Sequence, residues 1–465
     1  MAPRILRREK MLEKIFKLKE NNTTARTEII AGLTTFMTMA YIIALNPNLL
    51  SGFGKDTMPE LWNGVFLATC IASAIGTIVM AFLANKPFAM APGMGLNSFF
   101  AVVVTNIVAL TGMTYVASFQ AALCIVLVEG IVFLILSVLN IREKIVDAIP
   151  LGVRLGIAPA IGLMLLNIGV GSNAGIYSEN GGPFYAMRDF FGALTPSLAK
   201  TNMGSGYSAM VLSVVTMFVG LFAIVVLAQR GVKGAVLLGM LIASIIYWAG
   251  EAIFLGTNPF ASLATASFVP AFGDMASTTL FKFNFQGFAQ IGWFTAITLI
   301  VTFCIIDMFD TIGTLVGTAS RAGMLDKDGK MPNMKQALLS DAVGTLAGSV
   351  TGLTALTTGI MFLACIFIAP IAGIIPAAAT SSALIYVGVL MVAGLKNVDF
   401  DDICQALPVA LMMIAMPISG SIGHAIGIGL ITYTVIKVFT GKAKDVSVLT
   451  YVLSLIFLLK FFIVA

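Results

Sequence analysis

Long apolar runs follow one another along most of the chain, separated by short polar breaks. A run of about 20 apolar residues crosses a ~30 Å hydrocarbon core as a helix. On that reading spans are expected at 29–50, 61–84, 91–109, 115–139, 145–168, 207–228, 232–254, 291–319, 334–352, 353–372, 376–395, 403–418 and 420–440. A last apolar segment, 446–464, holds Lys460 and is expected to span or to lie at the interface. Alternation of period two over ~10-residue segments is absent, which argues against an outer-membrane barrel. Two long breaks, 169–206 and 255–290, carry Gly, Asn, Ser and Pro and suit the outer face.

Charge supports this layout through the first eight spans. With the N-terminus inside, the inner loops hold Lys86, then Arg142 and Lys144, then Arg230 and Lys233, then Arg321, Lys327, Lys330 and Lys335. The residues are 58% hydrophobic and 11% charged, against about a quarter charged for a soluble domain. Mean hydropathy is +0.99. An N-terminal arm, 1–28, carries Arg4, Arg7, Arg8, Lys10, Lys14, Lys17 and Lys19 and reads as cytoplasmic, held at the lipid surface. The net charge of +5 therefore needs no nucleic acid to explain it. Met11 begins a plausible alternative start.

An internal repeat shows in two spans. Pro150 precedes Gly162 by the same spacing that separates Pro376 from Gly388, which makes 145–168 and 376–395 equivalent helices of two halves. The second half is then short. Tyr41 to Pro150 is 109 residues, whereas Asp307 to Pro376 is 69. Thirteen spans also place Lys437, Lys442 and Lys444 outside and point the two Pro–Gly helices the same way, which an inverted repeat forbids. One further span between Gly352 and Leu353 repairs both, so a transmembrane segment is missing from this sequence.

Candidate chemistry lies in two places. Asp307 and Asp310 sit at i and i+3 on one helix face of the eighth span, beside Thr311 and Thr314. Carboxylates are costly in lipid and persist there mainly for function; held away from water they can take up and release a proton. The run from Lys86 to Asn97 contains two prolines and two glycines before Asn97. It is expected to be partly unwound, offering backbone groups of Met90, Ala91 and Gly93 and the Asn97 amide to a polar-edged ligand. A kinked packing helix is the competing reading. Asp341, Glu129 and Glu251 are weaker candidates. Asp399, Asp401 and Asp402 read as a solvated loop, and Tyr41 and the lone His424 as structural. The five cysteines form no CxxC and read as small hydrophobes. With no nucleotide-binding loop, zinc motif or nucleophile–base constellation, an enzyme or an ATP-driven pump is not expected, and no cofactor is implied.

Three stretches, Thr27 to Tyr41, Ala91 to Phe100 (APGMGLNSFF) and Asp307 to Gly317 (DMFDTIGTLVG), resemble the AzgA-like hypoxanthine/guanine permeases, a branch of the nucleobase–cation symporters. The resemblance runs from about Leu12 to the end. It implies an all-α membrane protein built as a 7+7 inverted repeat, with half-helices in spans 3 and 10. It also implies a core domain (29–139 and 291–372) and a gate domain (140–254 and 373–465), with 255–290 as an extracellular loop. By the same resemblance Asp307 hydrogen-bonds a purine, Asp310 supports it, Asn97 is the polar residue of span 3 and the backbone of Met90 to Gly93 lines the pocket. Proton symport by an elevator-like motion in the cytoplasmic membrane is implied, and a homodimer is left open. The chain departs from the family where Gly348-Ser349-Val350 runs directly into Thr351-Gly352, so that span 10 and its glutamate are absent. Two alternatives remain: another substrate, such as adenine, xanthine, uracil or an inorganic anion, or a form unable to transport.

Overall fold

A computed structural model describes residues 23–52, 54–83, 89–139, 149–173, 206–264, 266–321, 353–419 and 422–463. These residues are all-helical. The helices are α1 (Ala25–Met39), α2 (Ile42–Leu50), α3 (Pro59–Leu83), α4 (Met94–Thr111), α5 (Tyr115–Val138), α6 (Leu151–Ile168), α7 (Gly206–Gln229) and α8 (Ala235–Gly250). Three short helices follow, α9 (Ala261–Ala264), α10 (Phe272–Thr278) and α11 (Phe285–Gln290), then the long α12 (Trp293–Arg321). The chain continues with α13 (Leu353–Ala364), α14 (Ala369–Gly373), α15 (Ala377–Val392), α16 (Ile403–Ser419), α17 (Ile422–Phe439) and α18 (Val448–Ile463). Among the described residues nine helices or helix pairs are long and apolar enough to cross a membrane. The expected span 334–352, with Asp341, lies outside the described residues, as do most of the arm 1–28 and the Lys86 loop.

Proline sets where several of these helices begin and bend. Pro150 and Pro376 each stand in extended conformation immediately before α6 and α15. A proline there costs no helix hydrogen bond, because the first N–H groups have no intrahelical acceptor. Pro47 lies inside α2, and the first span is broken a turn and a half earlier, at Ala40 and Tyr41. The stretch 255–290, expected as an extracellular loop, contains the short helices α9 to α11, with α10 packed on α3 and α11 on α5. Its apolar positions are closely spaced enough to close single turns against those helices.

The two Pro–Gly helices meet face to face. A Cβ added to Gly162 would stand 2.6 Å from the Gly388 carbonyl oxygen, and one added to Gly388 would stand 2.7 Å from that of Gly162. Along the contact Pro159 faces Gly394, Gly162 faces Val392, Leu166 faces Gly388 and Gly169 faces Ile385. One number rises as the other falls, so the helices run antiparallel. Thirteen crossings would have pointed them the same way; the packing gives the opposed directions of an inverted repeat. The neighbours repeat the symmetry. Helix α6 packs on α16 while α15 packs on α7, and α7 pairs with α8 as α16 pairs with α17. Gly156 lies against Val409, and Ser382, its counterpart, donates to the Met217 carbonyl at 2.9 Å.

The remaining helices form a second group. Helix α13 packs on α1 and α3, and α12 packs on α5 and α4. Thr358 donates to the Gly32 carbonyl at 2.9 Å and Phe36 meets Phe362 edge-on at 5.2 Å, joining first-half and second-half spans. Lys55, in the loop after α2, donates to the Gly373 carbonyl at the end of α14 and lies over the Trp62 ring at 5.8 Å. Burial pushes its pKa down, opposed by neighbouring Asp56.

Candidate functional site

The third span is broken as its sequence requires. Residues 89–93 form no helix, and α4 starts only at Met94, with Gly93 as its N-cap in extended conformation. Pro92 lacks an N–H, and the first-turn N–H groups of α4 have no partner within the helix. They form the positive end of its dipole. The non-helical stretch is held by one side chain. The buried Thr77 hydroxyl donates to the Met90 carbonyl at 2.7 Å and accepts from the Met90 N–H at 2.9 Å. Thr77 thus satisfies both backbone groups of Met90, as a neighbouring strand would.

One turn into α4, Asn97 donates to Asn46 Oδ1. Asn46 donates in turn to Thr69 Oγ1 at 2.7 Å, and Thr69 donates to the Val65 carbonyl at 2.7 Å. The relay joins three spans through polar groups that are largely buried. Losing one member would leave its partner unpaired, at a cost of about 1–3 kcal/mol. Asn46, Thr69, Pro92 and Asn97 lie on the wall of a cavity of about 380 Å3, otherwise lined mainly by apolar side chains. That volume suits a small molecule. Phe100 and Phe303 also face it, and Phe281, held at φ 53° where bulky residues are rare, stands at its rim. Phe99 packs on Phe303 at 4.7 Å, which fastens α4 to α12.

Asp307 lies on α12 one turn beyond Phe303 and is 7% exposed. From α12 the cavity wall takes Phe303 and not Asp307. Asp310 and Thr311 follow on the same helix, with side chains outside the described residues. Ala91 and Gly93 are half-buried in the non-helical stretch. The structure therefore puts Asn97 and Pro92 on the cavity wall and buries Asp307 one turn beyond the wall residue Phe303. Asn46, Thr69 and Thr77 were not anticipated; the polar Asn46-Pro47-Asn48 inside an apolar span was the available signal. Asp402, read as part of a solvated loop, is partly exposed and caps α16: its carboxylate accepts from the Cys404 N–H at 2.9 Å, which lowers its pKa. Tyr41 packs near Met240 and Ala379 of α8 and α15. His424 packs on Phe461 with the rings tilted at 46° and 5.5 Å apart.

Residues 26–358 match the permease family Xan_ur_permease. The chain belongs to this permease family. It is a multi-pass membrane transporter, not an enzyme. Adenine permease AdeP of Escherichia coli strain K12 is 34% identical over 473 positions, covering 97% of this permease and 96% of the relative. Guanine/hypoxanthine permease PbuO of Bacillus subtilis strain 168 is 34% identical over 473 positions, covering 97% and 100%. Guanine/hypoxanthine permease PbuG of the same strain is 35% identical, covering 97% and 99%. For AdeP and PbuO, 97% of 465 residues is about 451, so roughly 20 of the 473 aligned positions face no residue of this chain. The transmembrane domain of the cyanobacterial bicarbonate transporter BicA aligns with TM-score 0.57 at 15% identity, over 86% of this permease and 97% of that chain. SLC26A9 aligns with TM-score 0.51 at 10% identity, over 89% and 65%. These likenesses establish the 7+7 inverted-repeat fold with its core and gate.

Proposed function

We propose that this permease takes up purine nucleobases, hypoxanthine or guanine, across the cytoplasmic membrane in symport with a proton. The observation that carries the reading is a cavity edged by Asn97, Asn46 and Thr69 at the start of a broken helix, with the buried carboxylate Asp307 one turn beyond its wall residue Phe303. A purine is flat and presents donors and acceptors along its rim. Asn97 supplies both, the backbone at Met90, Ala91 and Gly93 supplies more, and Asp307 accepts from a ring N–H. Asp307 also takes the coupling proton, with Asp310 supporting it and Thr311 beside it. The relatives named for guanine, hypoxanthine and adenine transport support the substrate class.

In this reading the core, 29–139 with 291–372, slides against the gate, 140–254 with 373–465. The N-terminus is cytoplasmic. The close antiparallel crossing at Gly162 and Gly388 supports a rigid gate, since such a contact admits little adjustment. The test is uptake of labelled hypoxanthine by the full chain in liposomes, with a panel of competing bases at two pH values. Competition by guanine and faster uptake from the acidic side are expected. Competition by uracil alone overturns the purine assignment, and indifference to a pH gradient overturns the coupling.

A second reading, a form unable to transport, is favoured by the direct Val350–Thr351 junction, where an inverted repeat calls for a further span. Intact mass and hypoxanthine binding of the purified chain separate the two. A chain of the mass of this sequence that binds no base decides for the second.

A further inference from the structure

Glu129 takes no part in the site described above. It lies within α5 and is 0% exposed. Ser118, Ala122, Ile125, Glu129 and Phe133 recur at helical spacing and are all fully buried, so Glu129 belongs to the inward face of α5. Helix α5 packs on α4, α11 and α12. Neither α4 nor α11 contains an ionisable residue, and among its described side chains on that stretch α12 brings Cys304 and Asp307.

Both carboxylates lie well along their helices from the end at which α5 meets the segment leading into α12. Asn284 donates to the Gln120 carbonyl and, through its side chain, to the Ala117 carbonyl, each at 3.2 Å. The first turns of α5 thereby hold the segment that leads into α12, and both helices run inward from that end. Glu129 is 14 residues past Tyr115, and Asp307 is 14 past Trp293. A second gauge uses Phe119, which packs on Phe100, and Phe303, which packs on Phe99. Glu129 is ten residues past the first and Asp307 four past the second. At 1.5 Å per residue, Glu129 lies level with Asp307 or up to about 9 Å farther from the cavity's rim. A carboxylate placed there in lipid-like surroundings is retained at a cost of several kcal/mol, which favours a working role.

We propose that Glu129 is the relay carboxylate of this permease, receiving the coupling proton from Asp307 on the side away from the rim. The step moves one proton: the Asp307 carboxyl O–H breaks, an O–H forms on a Glu129 oxygen directly or through water, and the negative charge passes back to Asp307. The inference rests on the proton-symport reading, so its test includes a readout that needs no transport.

The full chain is reconstituted as wild type, Glu129→Gln and Glu129→Asp. Infrared titration follows carboxylic-acid C=O bands, while labelled hypoxanthine reports pH-driven accumulation and exchange at equal pH. Expected results are loss of one titrating band and of accumulation in E129Q, with exchange retained and accumulation restored in E129D. An unchanged band set in E129Q overturns the proposal. So does joint loss of accumulation and exchange that E129D does not mend, which marks a packing role. If wild type moves no base, the uptake reading fails by itself, and the band still decides for or against proton binding at Glu129.

Discussion

The crossing of α6 and α15 and the broken third span answer the bilayer in opposite ways. At the crossing, both halves of the repeat are present, the contact is reciprocal, and it is made of glycines and apolar side chains. Close approach of two backbones does the work, and no polar group is needed. At the third span, backbone groups are freed, and side chains from other spans satisfy them: Thr77 for Met90, and the Asn97–Asn46–Thr69 relay beside it. The family resemblance expects its counterpart, a half-helix of the second half, between Gly352 and Leu353, which adjoin in this sequence. Symmetry is thus carried by packing, and the candidate chemistry sits where regular packing is given up.

Substitutions at six positions probe that contrast, in falling order of effect. Asp307→Asn should reduce hypoxanthine uptake by about 10- to 100-fold, the worth of a hydrogen bond to a charged group, with normal membrane insertion. Uptake at the wild-type rate would remove Asp307 from the polar region's function. Gly388→Leu, and equally Gly162→Leu, should destabilise the fold by about 1–3 kcal/mol or more, read as a lower melting temperature in detergent. A marked inequality between the two would break the claim of reciprocity. Asn46→Ala should weaken base binding and stability by about 1–3 kcal/mol. Combined with Asn97→Ala, it should cost less than the sum of the single changes, since both disrupt one relay. Strict additivity would separate them.

The smallest effect is expected at Asp402, which caps α16 where that helix supports α6. Asp402→Ala should cost about 0.5–2 kcal/mol. The Cys404 N–H holds the carboxyl below its usual range, so its contribution is full above the unfolded value of 3.8. It is lost as pH falls through the lower folded value. Melting curves of wild type and variant should therefore converge in acid, and a constant gap down to low pH would assign the stabilisation to something other than the charge.

Much of this was written locally in the chain. Each span is a run of neighbours that the hydrocarbon solvent selects, so the helices fell within a few residues of the expected bounds; α12, expected at 291–319, is Trp293–Arg321. Pro87, Pro92, Gly93 and Gly95 announced the break before α4 because proline and glycine act on their own backbone. The equal Pro–Gly spacing marked the repeat. What no local pattern contains is who meets whom. That Gly162 faces Gly388 in antiparallel sense, that Asn46 answers Asn97 from 51 residues away, and that the 255–290 stretch folds down on α3 and α5 depended on the assembled packing. Sequence alone settled membrane class, the positions of the described spans and the repeat, because burial in lipid is decided residue by residue. The direction of the helix crossing, the polar relay and the cavity were settled only in three dimensions, because each is a property of pairs brought together from distant parts of the chain.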